Sequence, residues 1–369
     1  MTKSRSETHI SSTLPGTLPQ PFLPRTGPFV WGGMFLAMAA AFTLELSLGS
    51  VWIPLKAVVS ILLGQADTTE DWRQIVLLFR LPRALTGIFA GAALGIAGLK
   101  MQTLFRNPLA DPFVLGISSG AGLGVALVVM AASGLKWNIF LERAGLAGNI
   151  SLTLSAILGA TAVLGIVLSV ARRVESNLTL LIVGLMFGYI TGAAVQVLMQ
   201  FSLEHQMQSY ITWTFGSFGS VTWEQMGVFA PTVLCGLAVA WALVKPLDAL
   251  LLGEGYARSM GVNVRLVRSW IIGGASVLAG AVTAYCGPIG FLGIAVPHLG
   301  RVLLKTSEHR RLVPAVMILG ATLALLADLI SQAPGTQMAL PLNAVTSLIG
   351  APVVIVVILR RRHTMEADG

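Results

Sequence analysis

The sequence predicts an all-α membrane protein, a polytopic bundle of about ten transmembrane helices, on three observations. First, 55% of its 369 residues are hydrophobic and only 11% are charged, where a soluble domain carries roughly 25% charged residues. Second, the mean hydropathy is +0.80, which means more apolar surface than one core can hide. Third, apolar runs of about 20 residues, enough to cross a bilayer as a helix, recur along the chain between short polar loops. The 40 glycines fit tight packing, because small residues let membrane helices approach where hydrophobicity cannot drive them together.

Residues 1–28 are polar and proline-rich (Pro15, Pro19, Pro21, Pro24, Pro28), which predicts a disordered cytoplasmic tail. The apolar run that follows comes late and leads into a full span, unlike a signal peptide. A membrane domain at 29–362 then holds expected spans at 29–48, 82–104, 113–131, 150–171, 178–200, 223–244, 266–285, 290–304, 312–332 and 342–360, with a short tail at 363–369. Pro54 to Leu63 reads as an amphipathic segment on the outer surface, and Gln206 to Phe215 as re-entrant or interfacial.

Placing both termini in the cytoplasm puts 18 of the 24 Lys and Arg residues, Lys100 among them, in inner segments and 6 in outer ones. That topology accounts for the net charge of +8 without any nucleic-acid partner. Arg80 and Arg83 are the exceptions, basic residues at an outer mouth. Cys235 and Cys286 sit in apolar runs without metal-ligand or redox spacing, as small packing residues do.

The stretch from Arg80 to Pro112 concentrates these features. Two arginines flank a proline, a glycine-rich span follows, and Lys100, Arg106 and Asn107-Pro108 close it. Gly87, Gly91 and Gly95 share one helical face. So do Gly116, Gly120 and Gly124, and again Gly184, Gly188 and Gly192. Such faces either pack helices closely or line a smooth pathway, and the sequence leaves both open. Arg80-Leu81-Pro82-Arg83 is echoed by Arg265-Leu266-Val267-Arg268 on the other side, the trace an inverted repeat leaves.

Arg80 and Arg83, three apart, face either phospholipid headgroups or the acidic side chains of a soluble partner, whose carboxylates a guanidinium fork grips bidentately. The inner loop Lys245 to Arg268 reads as two short surface helices joined at Gly253–Gly255. It is several times longer than the roughly 2–8 residues a connector needs, which favours a docking surface. Gly287-Pro288 breaks the chain before a short span carrying Pro297-His298, where His298 is either a relay or a helix-end hydrogen-bonder. Ser176 and Asn177 open the fifth span, as an N-cap or an inner gate.

The chain has no Gly-Lys dipeptide, hence no phosphate-cradling loop, and no HExxH or CxxC. Its intramembrane acids, Glu45 and Asp328, lie towards the outer boundary, a poor place for an ion-coupled carrier. The energy source is therefore expected on another chain.

Several segments, in order over about residues 75–362, closely resemble the FecCD-type permeases: RLPRALTGIFAGAALGIAGLKMQTLFRNPLADPFVLGISSGAG, LLGEGYARSMGV, GPIGFLGIAVPHLGR, LADLI and LPLNAVTSLIGAPVVIVVILRR. These are membrane subunits of type II ABC importers for ferric siderophores, haem and cobalamin. The resemblance implies a ten-helix subunit in the bacterial inner membrane, working with a second copy or a similar chain. It also implies two ATPase subunits, which bind the ATP and Mg, and an extracytoplasmic substrate-binding protein; this chain itself holds no cofactor and catalyses nothing. It assigns Gly253, Glu254, Ala257, Arg258 and Gly261 to the coupling helices that enter the ATPase, Arg80 and Arg83 to binding-protein docking, and Ser176 and Asn177 to the inner gate. Gln332 stands where the cobalamin-type permease carries a further outer arginine. An iron chelate is the expected cargo, with haem or cobalamin the alternatives and an ion-driven carrier relying on Glu45 or Asp328 the rival of another class.

Overall fold

A computed structural model describes residues 27–65, 69–131, 149–174, 176–332 and 339–367, except for the side chains of 131, 149, 172, 177, 353 and 356–367. Of the tails predicted at 1–28 and 363–369, residues 1–26 and 368–369 lie outside it, whereas 363–367 continue the last helix. The helices in chain order are α1 Pro28–Ser47, α2 Leu55–Leu62, α3 Glu70–Phe105, α4 Ile117–Ala131, α5 Asn149–Arg173, α6 Asn177–Gln200 and α7 Glu204–Thr214. They continue as α8 Trp223–Ala242, α9 Val244–Leu252, α10 Glu254–Ser259, α11 Val264–Cys286, α12 Leu292–Leu304, α13 His309–Ser331 and α14 Leu342–Ala367. Among the described residues seven helices are long and apolar enough to cross a membrane, and Ile117–Met130 and Leu292–Leu304 are shorter apolar helices. With α14 these cover every expected span.

The core is built around α3, which packs on α13, α11, α12 and α8. Two glycine contacts explain how such a crowded centre closes. A Cβ at Gly91 would lie 2.1 Å from the carbonyl oxygen of Gly320 on α13, and one at Gly98 would lie 1.8 Å from that of Gly293 on α12. Only hydrogen fits there, so backbone touches backbone. Nearer Arg83 on the same helix, Gly87 instead meets the ring of Phe218.

The second span is longer than expected, because α3 runs back through Pro82 to Glu70. Pro82 has no N–H, and its ring would crowd the carbonyl four residues earlier, so a regular ladder cannot pass it. The chain responds by widening: Ile75–Arg80 is a π-helical turn, and the N–H of Leu81 bonds to the carbonyl of Val76. Lys100 also departs from expectation. It is not a loop residue but lies inside α3, 1% exposed, with its Nζ against the Cα side of Gly274 on α11. That ammonium has no hydrogen-bond partner among the described residues.

The break between α11 and α12 is satisfied from outside the two helices. The N–H of Gly290 donates to the side-chain oxygen of Asn343, at 3.1 Å, and the N–H of Ser217 donates to the carbonyl of Cys286, at 2.8 Å. Phe291 takes the left-handed conformation at the start of α12. His298 sits half-buried on α12 behind Pro297.

Candidate functional site

The functional residues gather at the two ends of α3. At its first end Arg83 grips Asp328 of α13 side-on, Nε donating to Oδ2 at 2.7 Å and Nη2 to Oδ1 at 2.9 Å. Glu45 of α1 joins them, 3.9 Å from the same Nε. Gln332 closes the group by donating its amide to Glu45 and, at 3.4 Å, to Asp328. Both carboxylates are 1% exposed. Such burial is tolerable only because a forked cation and an amide supply the lost hydration.

Arg80 points elsewhere. Its Nη1 donates to the carbonyl of Leu46 at 2.8 Å and its Nη2 to that of Val51, which ties α3 to the end of α1. The spacing of three put both arginines on one helical face, but each has its own set of acceptors. Both line a cleft of about 730 Å³, together with Gly49, Phe79, Trp223 and Gln332.

The opposite end carries the loop expected to dock. Its two helices, α9 and α10, meet at Gly253, whose φ of +124° excludes a side chain. A Cβ there would also lie 2.9 Å from Arg106 Nη2, the guanidinium that donates to the carbonyl of Leu250 at 3.3 Å. Ala257 is fully buried and its N–H closes onto the Gly253 carbonyl. Glu254 and Arg258 face each other at 3.5 Å on the solvent side. Gly261 turns the chain at φ +81° with open space around it. Leu252, Tyr256 and Met260 are more than half exposed, an apolar strip on a polar loop.

Asp248 of α9 accepts both from the backbone N–H of His309, at 2.8 Å, and from its ring Nδ1, at 2.7 Å. Partial burial works against the Asp248 carboxylate, but these bonds hold its pKa below the usual carboxylate range.

Ser176 caps α6, accepting from the N–H of Thr179 at 3.3 Å. Asn177 starts that helix, but its side chain lies outside those described. The turn is held by Arg268 of α11, whose guanidinium donates to the carbonyls of Val174 at 3.0 Å and Ser176 at 3.5 Å. The glycine faces resolve into two kinds. Gly116 supplies a left-handed turn at φ +77°, Gly120 packs on Gly159 and Val163, and Gly184 packs on Val114 and Leu115, whereas among the described residues a Cβ at Gly188 would meet the Ser119 hydroxyl alone and one at Gly192 nothing.

Sequence reading did not find Gln332 bonding Glu45, or Arg106, Asp248 and His309 at the loop. The one usable signal was Asp328, an intramembrane acid at the depth of an unexplained arginine.

A bundle of apolar helices with charged clusters at two levels of its central helix fits a multi-pass membrane protein. The chain belongs to the FecCD transport family, whose model matches residues 37–360. It is 35% identical over 334 residues to the vitamin B12 import system permease protein BtuC of Klebsiella pneumoniae, covering 89% of this chain and 93% of that one. It is 36% identical over 306 residues to the hemin transport system permease protein HmuU of Yersinia pestis, covering 82% and 88%. A solved structure assigned to a metal-chelate type ABC transporter in an inward-facing conformation superposes with a TM-score of 0.77 at 27% identity, over 90% of this chain and all of the other. The protein is thus a multi-pass membrane subunit of the type II ABC importer class.

Proposed function

We propose that the chain forms the translocation pathway for a ferric siderophore or a similar iron chelate in the bacterial inner membrane. A binding protein delivers the chelate at the Arg80/Arg83 cleft, and a separate ATPase, holding ATP and Mg, drives the cycle by docking on α9–α10. Both termini are then cytoplasmic, as the basic-residue bias requires. The observation that carries this reading is the placement of the cleft and the docking strip at opposite ends of α3. Relatives named for vitamin B12, hemin and metal chelates support a bulky chelate and keep cobalamin or haem as alternative cargoes. The ion-driven rival is weakened because Glu45 and Asp328, the acids it needs, are held by Arg83 and Gln332.

The cluster also dictates how docking must be tested. Reversing Arg83 would bring three carboxylates together and unfold the site whether or not a partner docks there. Ser50→Glu with Phe79→Glu instead adds negative charge at exposed positions of the cleft. We expect at least a tenfold loss of binding-protein affinity, and unchanged affinity would remove the docking site. For cargo, uptake of radio-iron chelate by vesicles holding permease, ATPase and the neighbouring binding protein is the direct assay. Uptake of cobalamin or haem in its place would overturn the iron assignment. A chain that co-purifies with no ATPase, yet transports under an ion gradient, would overturn the class of mechanism.

A further inference from the structure

Three helices meet on one buried side chain. His309, 1% exposed, opens α13. Its backbone N–H and ring Nδ1 both bond to Asp248 Oδ1 of α9, and its Nε2 lies 2.9 Å from Thr103 Oγ1 on α3. A carboxylate only accepts, so Nδ1 donates to Asp248, which leaves Nε2 facing the Thr103 hydroxyl. Asp248 therefore grips the start of α13 twice, where unpaired N–H groups and the helix dipole both favour a carboxylate.

Elsewhere α9 rests on the core through apolar side chains, Leu247 and Leu250 among them, and through one long bond of 3.3 Å from Arg106 to the Leu250 carbonyl. Apolar contact is non-directional and tolerates sliding. A side chain bonded on both sides does not. Beyond His309, α3 and α13 stay joined along their length, first by the Gly91–Gly320 backbone contact and then by the Arg83–Asp328 fork. His309 and Asp328 are about 30 Å apart along α13, at a rise of roughly 1.5 Å per residue.

We propose that His309 is a positioning residue that turns movement of the α9–α10 pair into movement of α3 and α13 as one body, so that the arginine cleft answers to the far end of the bundle. This rests on the reading of α9–α10 as the ATPase docking site.

The test uses the complete transporter in lipid vesicles, with environment-sensitive labels introduced in turn as Met260→Cys beside α10 and Leu78→Cys at the cleft, in a Cys235→Ser background. With His309 intact, adding ATP shifts both labels. With His309→Gln, residue 260 still responds, residue 78 loses its response, and ATP consumed per substrate imported rises about tenfold, within the range of ordinary coupling energies. Thr103→Val keeps the Asp248 grip and cuts only the α3 side; it should give an intermediate loss and guards against a His309 variant that fails to fold. Equal response of residue 78 and equal ATP cost in both variants would overturn the proposal. If residue 260 is silent to ATP even in the parent, the docking reading itself falls and takes this inference with it.

Discussion

The pair α3–α13 and the helix α6 are both glycine-bearing and apolar, yet they are built for opposite ends. In α3–α13 a glycine hydrogen meets a carbonyl oxygen, and the pair is bonded near both ends by side chains. α6 packs along one face only, with Gly184 against Val114 and Leu115 and Val195 buried with Ala126 and Met130. Further along, Gly188 and Gly192 are open and Tyr189, Ile190 and Val197 are more than half exposed. The same sequence pattern thus makes a rigid strut in one place and a wall with one open face in another. What decides is whether another backbone lies opposite.

The comparison breaks most visibly at its charged end. Asp328→Ala leaves Arg83 facing Glu45 alone, and loss of one partner of a buried pair costs about 3–5 kcal/mol. Thermal unfolding in detergent should show that loss, while the exchanged pair Arg83→Asp with Asp328→Arg should recover part of it. A stability unchanged by Asp328→Ala would mean that the fork does not hold the strut.

A smaller effect separates the two kinds of glycine. Gly91→Leu should cost at least about 1–3 kcal/mol, because overpacking forces backbones apart. Gly192→Leu, placed in open space, should change stability by no more than about 0.5 kcal/mol. Equal costs would erase the distinction between strut and wall.

The smallest effect should come from Gln332→Arg. It adds a second guanidinium beside two carboxylates and should raise stability by about 1 kcal/mol, as hydrogen bonds to charged groups do. A lower melting temperature would mean that the amide of Gln332 already meets the need of Glu45.

The spans were legible because hydropathy is local: twenty apolar residues announce a crossing wherever they fold. The joint at Gly253 was legible for a similar reason, since a glycine that ends a leucine-rich turn marks a conformation other residues avoid. What stayed hidden was every contact whose partner lies far along the chain. Arg83 and Asp328 are 245 residues apart, and His309 and Thr103 are 206 apart. No spacing rule links such pairs. Lys100 misled for a related reason, because a basic residue near the end of an apolar run looks like an anchor until Gly274 is seen to make room for it.

The π turn at Ile75–Arg80 works like a vernier between two scales. An ideal α-helix advances about 100° per residue, so one extra residue in the turn sets the facing of the segment before it independently of the span that follows. That offset brings Val76 into a separate cluster with Leu46, Ile53, Val58 and Ile61, with Trp72 and Ile75 packed against it. Removing a single residue there would swing Trp72 and its neighbours by roughly a quarter turn, off the cluster they now pack against, while Pro82 would still interrupt the ladder.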